Sequence, residues 1–232
     1  MMSEVIVMGV VTVDFDGTLY QGDSFKVVME GANQAFGLKQ WTVISKGLAK
    51  ASTAGLTKGK NAFKLSFFEA FAKSFKGMTR AELDQFFRRL VEIGKDDVHQ
   101  GLIEKIHEHE RQGDQIIVLS GAFQPFLKAF TDAFSLNVHI IGTELMFNQR
   151  GLCTGHVRSV VNGDEKVNHV QAWMDRQKRF GYLTEEESRD TWAYADSESD
   201  VPLLEFVKHP FVVNPDKSVK KVAVEEGWPL FG

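Results

Sequence analysis

The chain has 232 residues, 43% of them apolar, with a formal net charge of −4. That is ordinary globular composition for one large domain or a core with an insert, and its dispersed lysines on an acidic balance exclude an obvious nucleic-acid surface. Cys153 is the single cysteine, which excludes a disulfide framework and a cysteine-rich metal site and fits a reducing compartment such as the cytoplasm. No apolar stretch is long enough to cross a bilayer, and the opening run has no basic flank of the signal-peptide kind, so no membrane partner is expected.

Residues 4–13 are almost continuously apolar and predict a first strand covered on both faces. The run ends abruptly in Asp14-Phe15-Asp16-Gly17-Thr18. A turn at Gly22-Asp23-Ser24 leads into a helix over 25–36, with Ser24 as its expected N-cap. No strand is expected from there to about residue 93. Helices are predicted over 41–50, 58–75 and 79–93, broken at Gly55, Gly59 and Gly77, and the last opens on a Thr79–Glu82 capping box. Phe63, Phe67, Phe71 and Phe75 recur every four residues on one helix face. That face reads as the buried side of a small helical unit; the sharper reading is a lid that closes on a substrate.

From residue 96 the pattern changes to alternating elements. Helices are predicted over 97–112, 124–134, 166–180, 199–207 and 218–226, and strands over 115–119, 138–141, 191–195 and 211–213. A hairpin pairs 143–147 with 155–160 around a turn at 148–151. Alternating strands and helices imply an α/β fold with a parallel sheet. The expected division is a core of residues 1–23 and 94–232 with a helical insert at 24–93.

The chemistry-bearing residues gather at strand ends. Side chains alternate along a strand, so Asp14 and Asp16 leave the first strand on the same side. Two carboxylates that close repel each other unless a cation sits between them, and Mg²⁺ takes one or two carboxylates with phosphate oxygens and water. Gly17 and Thr18 turn the chain and offer an amide and a hydroxyl. Ser120-Gly121 follows the second strand and offers a hydroxyl and free amides at a helix start. Lys166 opens a helix, where a cation opposes the helix dipole, so its placement wants a bound phosphate or a facing carboxylate. Asp196 and Asp200 follow the strand at 191–195. Ligands in open α/β sheets collect at the carboxyl ends of strands. Together these groups divide the labour of phosphoryl transfer: Asp14 as carboxylate nucleophile, Asp16 as acid and base, and a cation, a lysine and donors on the transferred oxygens.

Asp14-Phe15-Asp16-Gly17-Thr18, Ser120, Lys166 and Asp196 with Asp200 resemble, in order, motifs one to four of the haloacid dehalogenase superfamily. The insert directly after the first motif resembles its C1-cap subclass. Leu119-Ser120-Gly121, Gly142-Thr143-Glu144, residues 152–155 and residues 194–204 are similar to its phosphoserine-phosphatase-like branch. The resemblance implies a Rossmann-like parallel-sheet core with an all-helical cap and a Mg²⁺-dependent phosphomonoester hydrolase acting on a small phosphorylated metabolite. It implies Asp14 as nucleophile and metal ligand, Asp16 as acid/base binding the metal through its carbonyl, and Asp196 as the third protein ligand. Ser120, Gly121 and Lys166 would hold the phosphate, with Thr18 beside them, and Asp200 would orient Lys166 or the metal's waters. A phosphotransferase or phosphomutase uses the same aspartyl phosphate, and a non-catalytic phosphate-binding protein would keep the fold.

The chain departs from that branch in three places. Asp23 stands near the position of a substrate-binding Glu. No arginine occurs between Ser24 and Thr79, where those enzymes use one for the substrate carboxylate; Lys58 or Lys60 cannot reproduce its bidentate fork. Ser199 stands where those enzymes usually have Asn.

Overall fold

The computed structural model describes residues 8–58, 60–158, 160–161 and 163–232. The strand expected over 4–13 is seen as β1, Val10–Asp14; residues 4–7 lie outside the described residues. β1 is buried along its whole length, as its unbroken apolar run requires. It lies inside a six-stranded parallel sheet of β1, β2 (Gln115–Phe123), β3 (His139–Thr143), β6 (Thr191–Ala195), β7 (His209–Val213) and β8 (Leu230–Phe231). The spatial order is β3-β2-β1-β6-β7-β8. The chain builds outward from β1 on one side, then returns to build outward on the other, which opens a crevice at the carboxyl ends of β1 and β6.

Strand alternation sends Val11 and Val13 to one face and Val10 to the other. The first face packs on α5 (Gln100–Gln112) and α6 (Gln124–Ala133) through Leu102, Ile106, Phe126 and Phe130. The second packs on α7 (Lys166–Arg179), α8 (Val201–Phe206) and α9 (Lys217–Glu226) through Val170, Leu203 and Val219.

Among the described residues, four α-helices and no strand stand between β1 and α5: α1 (Ser24–Ala35), α2 (Leu38–Lys58), α3 (Lys60–Ser74) and α4 (Arg80–Gly94). The Thr79–Glu82 capping box forms in both directions. Helix α2 differs from expectation by running through Gly55; Gly59 lies outside the described residues. A mid-helix glycine costs about 1 kcal/mol. The long pairing of α2 with α3 offsets it, and at Gly47 the two backbones come so close that a Cβ would strike Ala70. Phe67, Phe71 and Phe75 are fully buried, and Phe68, Phe75 and Phe87 pack on Phe123 of β2, so the aromatic face joins the core.

The hairpin forms from β4 (Leu145–Phe147) and β5 (Cys153–Val157), and Thr143 belongs to β3 instead. Its far end is sewn to the helical insert. Cys153 N donates to Met78 O at 2.8 Å, Gly77 N donates to Cys153 O at 2.9 Å, and the Arg80 guanidinium sits 3.8 Å over the Phe147 ring. No described helix is long and apolar enough to cross a membrane.

Candidate active site

Sheet register brings the site together. Asp14 ends β1 opposite Leu119, so Ser120 lies one step beyond on β2. Val13 pairs with Tyr194 on β6, and Asp196 follows the last residue of that strand. Asp14, Asp16, Ser120, Gly121, Lys166, Asp196 and Asp200 line one cleft of about 290 Å³, with Asp23 also on its lining. Phe25, Phe67 and Phe68 of the helical insert form an apolar wall of the same cleft.

Lys166 holds the floor. Its ammonium donates to Asp14 Oδ1 and to Asp200 Oδ1, both at 2.5 Å, and all three side chains are buried. A cation at the first residue of α7 thus has the facing carboxylates that its position demanded. Asp200 Oδ2 also accepts from Ser197 Oγ at 2.5 Å.

Thr18 differs from its expected role. It is fully buried and does not line the cleft; its hydroxyl donates to Asp196 Oδ1 at 3.1 Å, with Asp14 Oδ2 3.4 Å away. The hydroxyl is spent on aligning two carboxylates. Gly17, with φ of +83°, makes that approach possible, because a Cβ there would collide with the Asp196 carboxylate.

Ser24 is not the N-cap of α1. Asp23 takes that place, its Oδ1 accepting from Phe25 N at 2.9 Å. Ser24 is the first helical residue and binds Asp16: its amide donates to Oδ1 at 2.7 Å and its hydroxyl to Oδ2 at 2.8 Å. Ser120 is not at a helix start either. β2 continues to Phe123, paired there with Thr143, and α6 begins at Gln124 without a side-chain cap. The Thr143 hydroxyl donates to Gly121 O at 2.6 Å and Ser120 Oγ accepts from Ala122 N at 3.0 Å, which together bend the strand end around the cleft.

Burial pushes the Asp14 carboxyl up to about 8; Lys166 opposes the rise, while Asp200 and Asp196 add to it. Burial, with the Asp200 charge, pushes Asp196 up to about 6 against the Thr18 hydrogen bond. Burial alone would lower Lys166, but Asp14 and Asp200 outweigh it and hold the ammonium above its ordinary value. Asp14, Asp196 and Asp200 each place an oxygen within 4.8 Å of the others. Fully ionised, these three carboxylates outnumber the one ammonium in a largely buried site, and a bound cation would let them ionise together. The donors are all hard oxygens, so the charge and chemistry of the set fit a divalent cation of the Mg²⁺ kind.

The sequence profile of haloacid dehalogenase-like hydrolases matches residues 11–205, a span from β1 into α8 that includes every residue of this cluster. The chain belongs to that family. A histidinol-phosphatase from Neisseria meningitidis serogroup C (strain 8013) is 30% identical over 126 residues, 54% of each chain. The chain spans about half the length of the curated relatives it matches. A protein of unknown function from Bordetella pertussis Tohama I shares the haloacid dehalogenase fold along almost the whole chain, with a TM-score of 0.77 over 97% of this chain and 99% of that one at 19% identity. A substrate-bound phosphoserine phosphatase matches with a TM-score of 0.56 over 92% and 90% of the two chains at 16% identity.

Two contributors escaped the sequence reading of this haloacid dehalogenase fold: Ser24 on Asp16 and Ser197 on Asp200. The Phe25–Phe67–Phe68 wall was legible only through Phe67, a member of the every-fourth stripe for which a lid was the sharper reading.

Proposed function

We propose that the chain is a Mg²⁺-dependent phosphomonoester hydrolase that works through an aspartyl phosphate on Asp14 and acts on a small phosphorylated metabolite. The observation that carries this reading is the Lys166 ammonium shared between Asp14 and Asp200 on the floor of a cleft that also holds Asp16 and Asp196. The relative named histidinol-phosphatase and the fold shared with phosphoserine phosphatases support the reaction class.

In the first half-reaction an Asp14 carboxylate oxygen bonds to phosphorus and the P–O bond to the substrate alcohol breaks. Asp16 gives its proton to the departing oxygen. In the second, water attacks the aspartyl phosphate, Asp16 takes a proton from it, and phosphate leaves with Asp14 restored. Lys166 and the Ser120–Gly121 segment hold the oxygens of the transferred group. Asp14, Asp16, Asp196 and Asp200 would hold Mg²⁺, which when bound neutralises charge on that group. Release of one inorganic phosphate per alcohol distinguishes hydrolysis from transfer to a second hydroxyl.

The cleft also bears on the substrate. Among the described residues no arginine lines it; Arg80, the first in the insert, stacks on Phe147 away from it. The side chains of Lys58 and Lys60 lie outside the described residues. A free amino-acid carboxylate favours a guanidinium, which offers two parallel hydrogen bonds. The wall here is Phe25, Phe67 and Phe68, with the Asp23 carboxylate beside it. The substrate's organic part is therefore larger or less acidic than serine, with an amine or hydroxyl toward Asp23. A panel of phosphorylated metabolites tests this. Phosphoserine should trail the best substrate, and Asp23→Asn should change the ranking; a tenfold lead for phosphoserine, or an unchanged ranking, overturns it.

A further inference from the structure

We propose that Ser24 is a positioning residue for Asp16: the first turn of the helical insert, not the core strand that precedes Asp16, sets the aim of the acid–base carboxylate. The inference rests on the acid–base role given to Asp16 above.

Ser24 holds both oxygens of that carboxylate, one through its amide and one through its hydroxyl, at 2.7 and 2.8 Å. A two-point hold fixes the rotation of the carboxyl plane, which a single hydrogen bond does not. Capping explains only part of it. The first amides of a helix want acceptors, and Asp23 already serves Phe25 N, so Asp16 on the Ser24 amide is an ordinary second cap. The Ser24 hydroxyl is not an orphan of the helix end. It is a buried side chain, 2% exposed, that lines the catalytic cleft and spends its proton on Asp16.

The contact also joins two bodies of the chain. Asp16 lies in the turn two residues past the end of β1, and Ser24 begins the insert. The crossing between them is pinned. Gln21 N donates to Asp97 O at 2.7 Å and Tyr20 pairs with Val98, so the segments entering and leaving the insert are tied together. Gly22 on the way in and Gly94 at the end of α4 both press on the Tyr20 ring, where a Cβ at either would collide. The first turn of α1 is thereby held at a fixed place over Asp16.

Leaving-group chemistry tests the proposal. An alkoxide needs a proton to depart, whereas p-nitrophenolate is stable without one. Properly delivered general-acid help is worth about 10²–10⁴-fold. Ser24→Ala should therefore lower kcat/KM for an alkyl phosphate about tenfold to a hundredfold and for p-nitrophenyl phosphate less than about threefold. In an Asp16→Asn background, Ser24→Ala should add no further loss on the alkyl substrate, because its effect passes through Asp16. A purely structural cap would lower both substrates alike and add in the double variant; either result overturns the role of Ser24. If Asp16→Asn itself shows no preference between the two substrates, the acid–base reading of Asp16 fails instead. The two failures are thus distinguishable.

Discussion

Replacing Lys166 with methionine probes the electrostatics of the floor. Methionine keeps most of the buried stem and removes the ammonium that sits 2.5 Å from both Asp14 and Asp200. Removing one partner of a buried ion pair costs about 3–5 kcal/mol, because the other charge is left uncompensated. Where in that range the loss falls depends on pH. Without metal, burial holds the Asp14 carboxyl up to about 8, so at neutral pH Asp200 is the main counter-charge and the loss should be about 3 kcal/mol. Above pH 8 Asp14 ionises and the loss should climb toward about 5 kcal/mol. At about 2–4 °C per kcal/mol for a chain of this size, the melting temperature should fall by about 6–12 °C at neutral pH. Losing Lys166 also removes the charge that opposes the rise of Asp14. The variant's folded state then keeps still more protons than the unfolded state, and the gap to wild type widens as pH rises. Thermal melts in EDTA at several pH values read this directly. A difference under about 1 kcal/mol, or one that stays constant from about pH 5 to pH 9, would refute the buried-charge account.

Asp14→Asn should abolish turnover with the fold intact, since an amide cannot form the aspartyl phosphate; appreciable steady-state phosphate release from pure variant would remove Asp14 as nucleophile. The metal-free protein should lose stability as pH rises from about 4 to 8, because Asp14 and Asp196 bind protons more tightly folded than unfolded. Mg²⁺ should remove that slope and bind more tightly at pH 8 than at pH 6, releasing protons; a flat metal-free stability profile contradicts the assignment. Exhaustive chelation should stop hydrolysis, and Asp196→Ala should raise the Mg²⁺ needed to restore it; activity that survives chelation sinks the metal reading.

The α/β class, the parallel sheet and the helical insert were legible because each rests on a local period that short-range physics enforces. The β1 run is apolar because both its faces are covered, and the Thr79 capping box needs only the residues within it. Asp14, Asp16, Ser120, Lys166, Asp196 and Asp200 were legible for a related reason. Ser120 lies inside β2, and each of the others ends or follows a strand or opens a helix; in a parallel sheet the carboxyl ends share one rim. The capping of α1 by Asp23 instead of Ser24 was not, since neighbouring Asp and Ser suit an N-cap about equally and the choice fell to Asp16, eight residues back. The continuity of α2 through Gly55 also escaped, because α3 stabilises it from outside the local sequence.

The sequence by itself marked the side chains that the cleft gathers and, for most of them, the strand end or helix start they stand at, because those are properties of short stretches. Only the tertiary structure decided what each group does once there. Thr18 faces two carboxylates inside the protein and not the cleft, Lys166 bridges Asp14 and Asp200, and three of the insert's phenylalanines line the cleft. These are contacts between residues up to 178 positions apart. Their geometry follows from sheet register and helix packing, which no local pattern encodes.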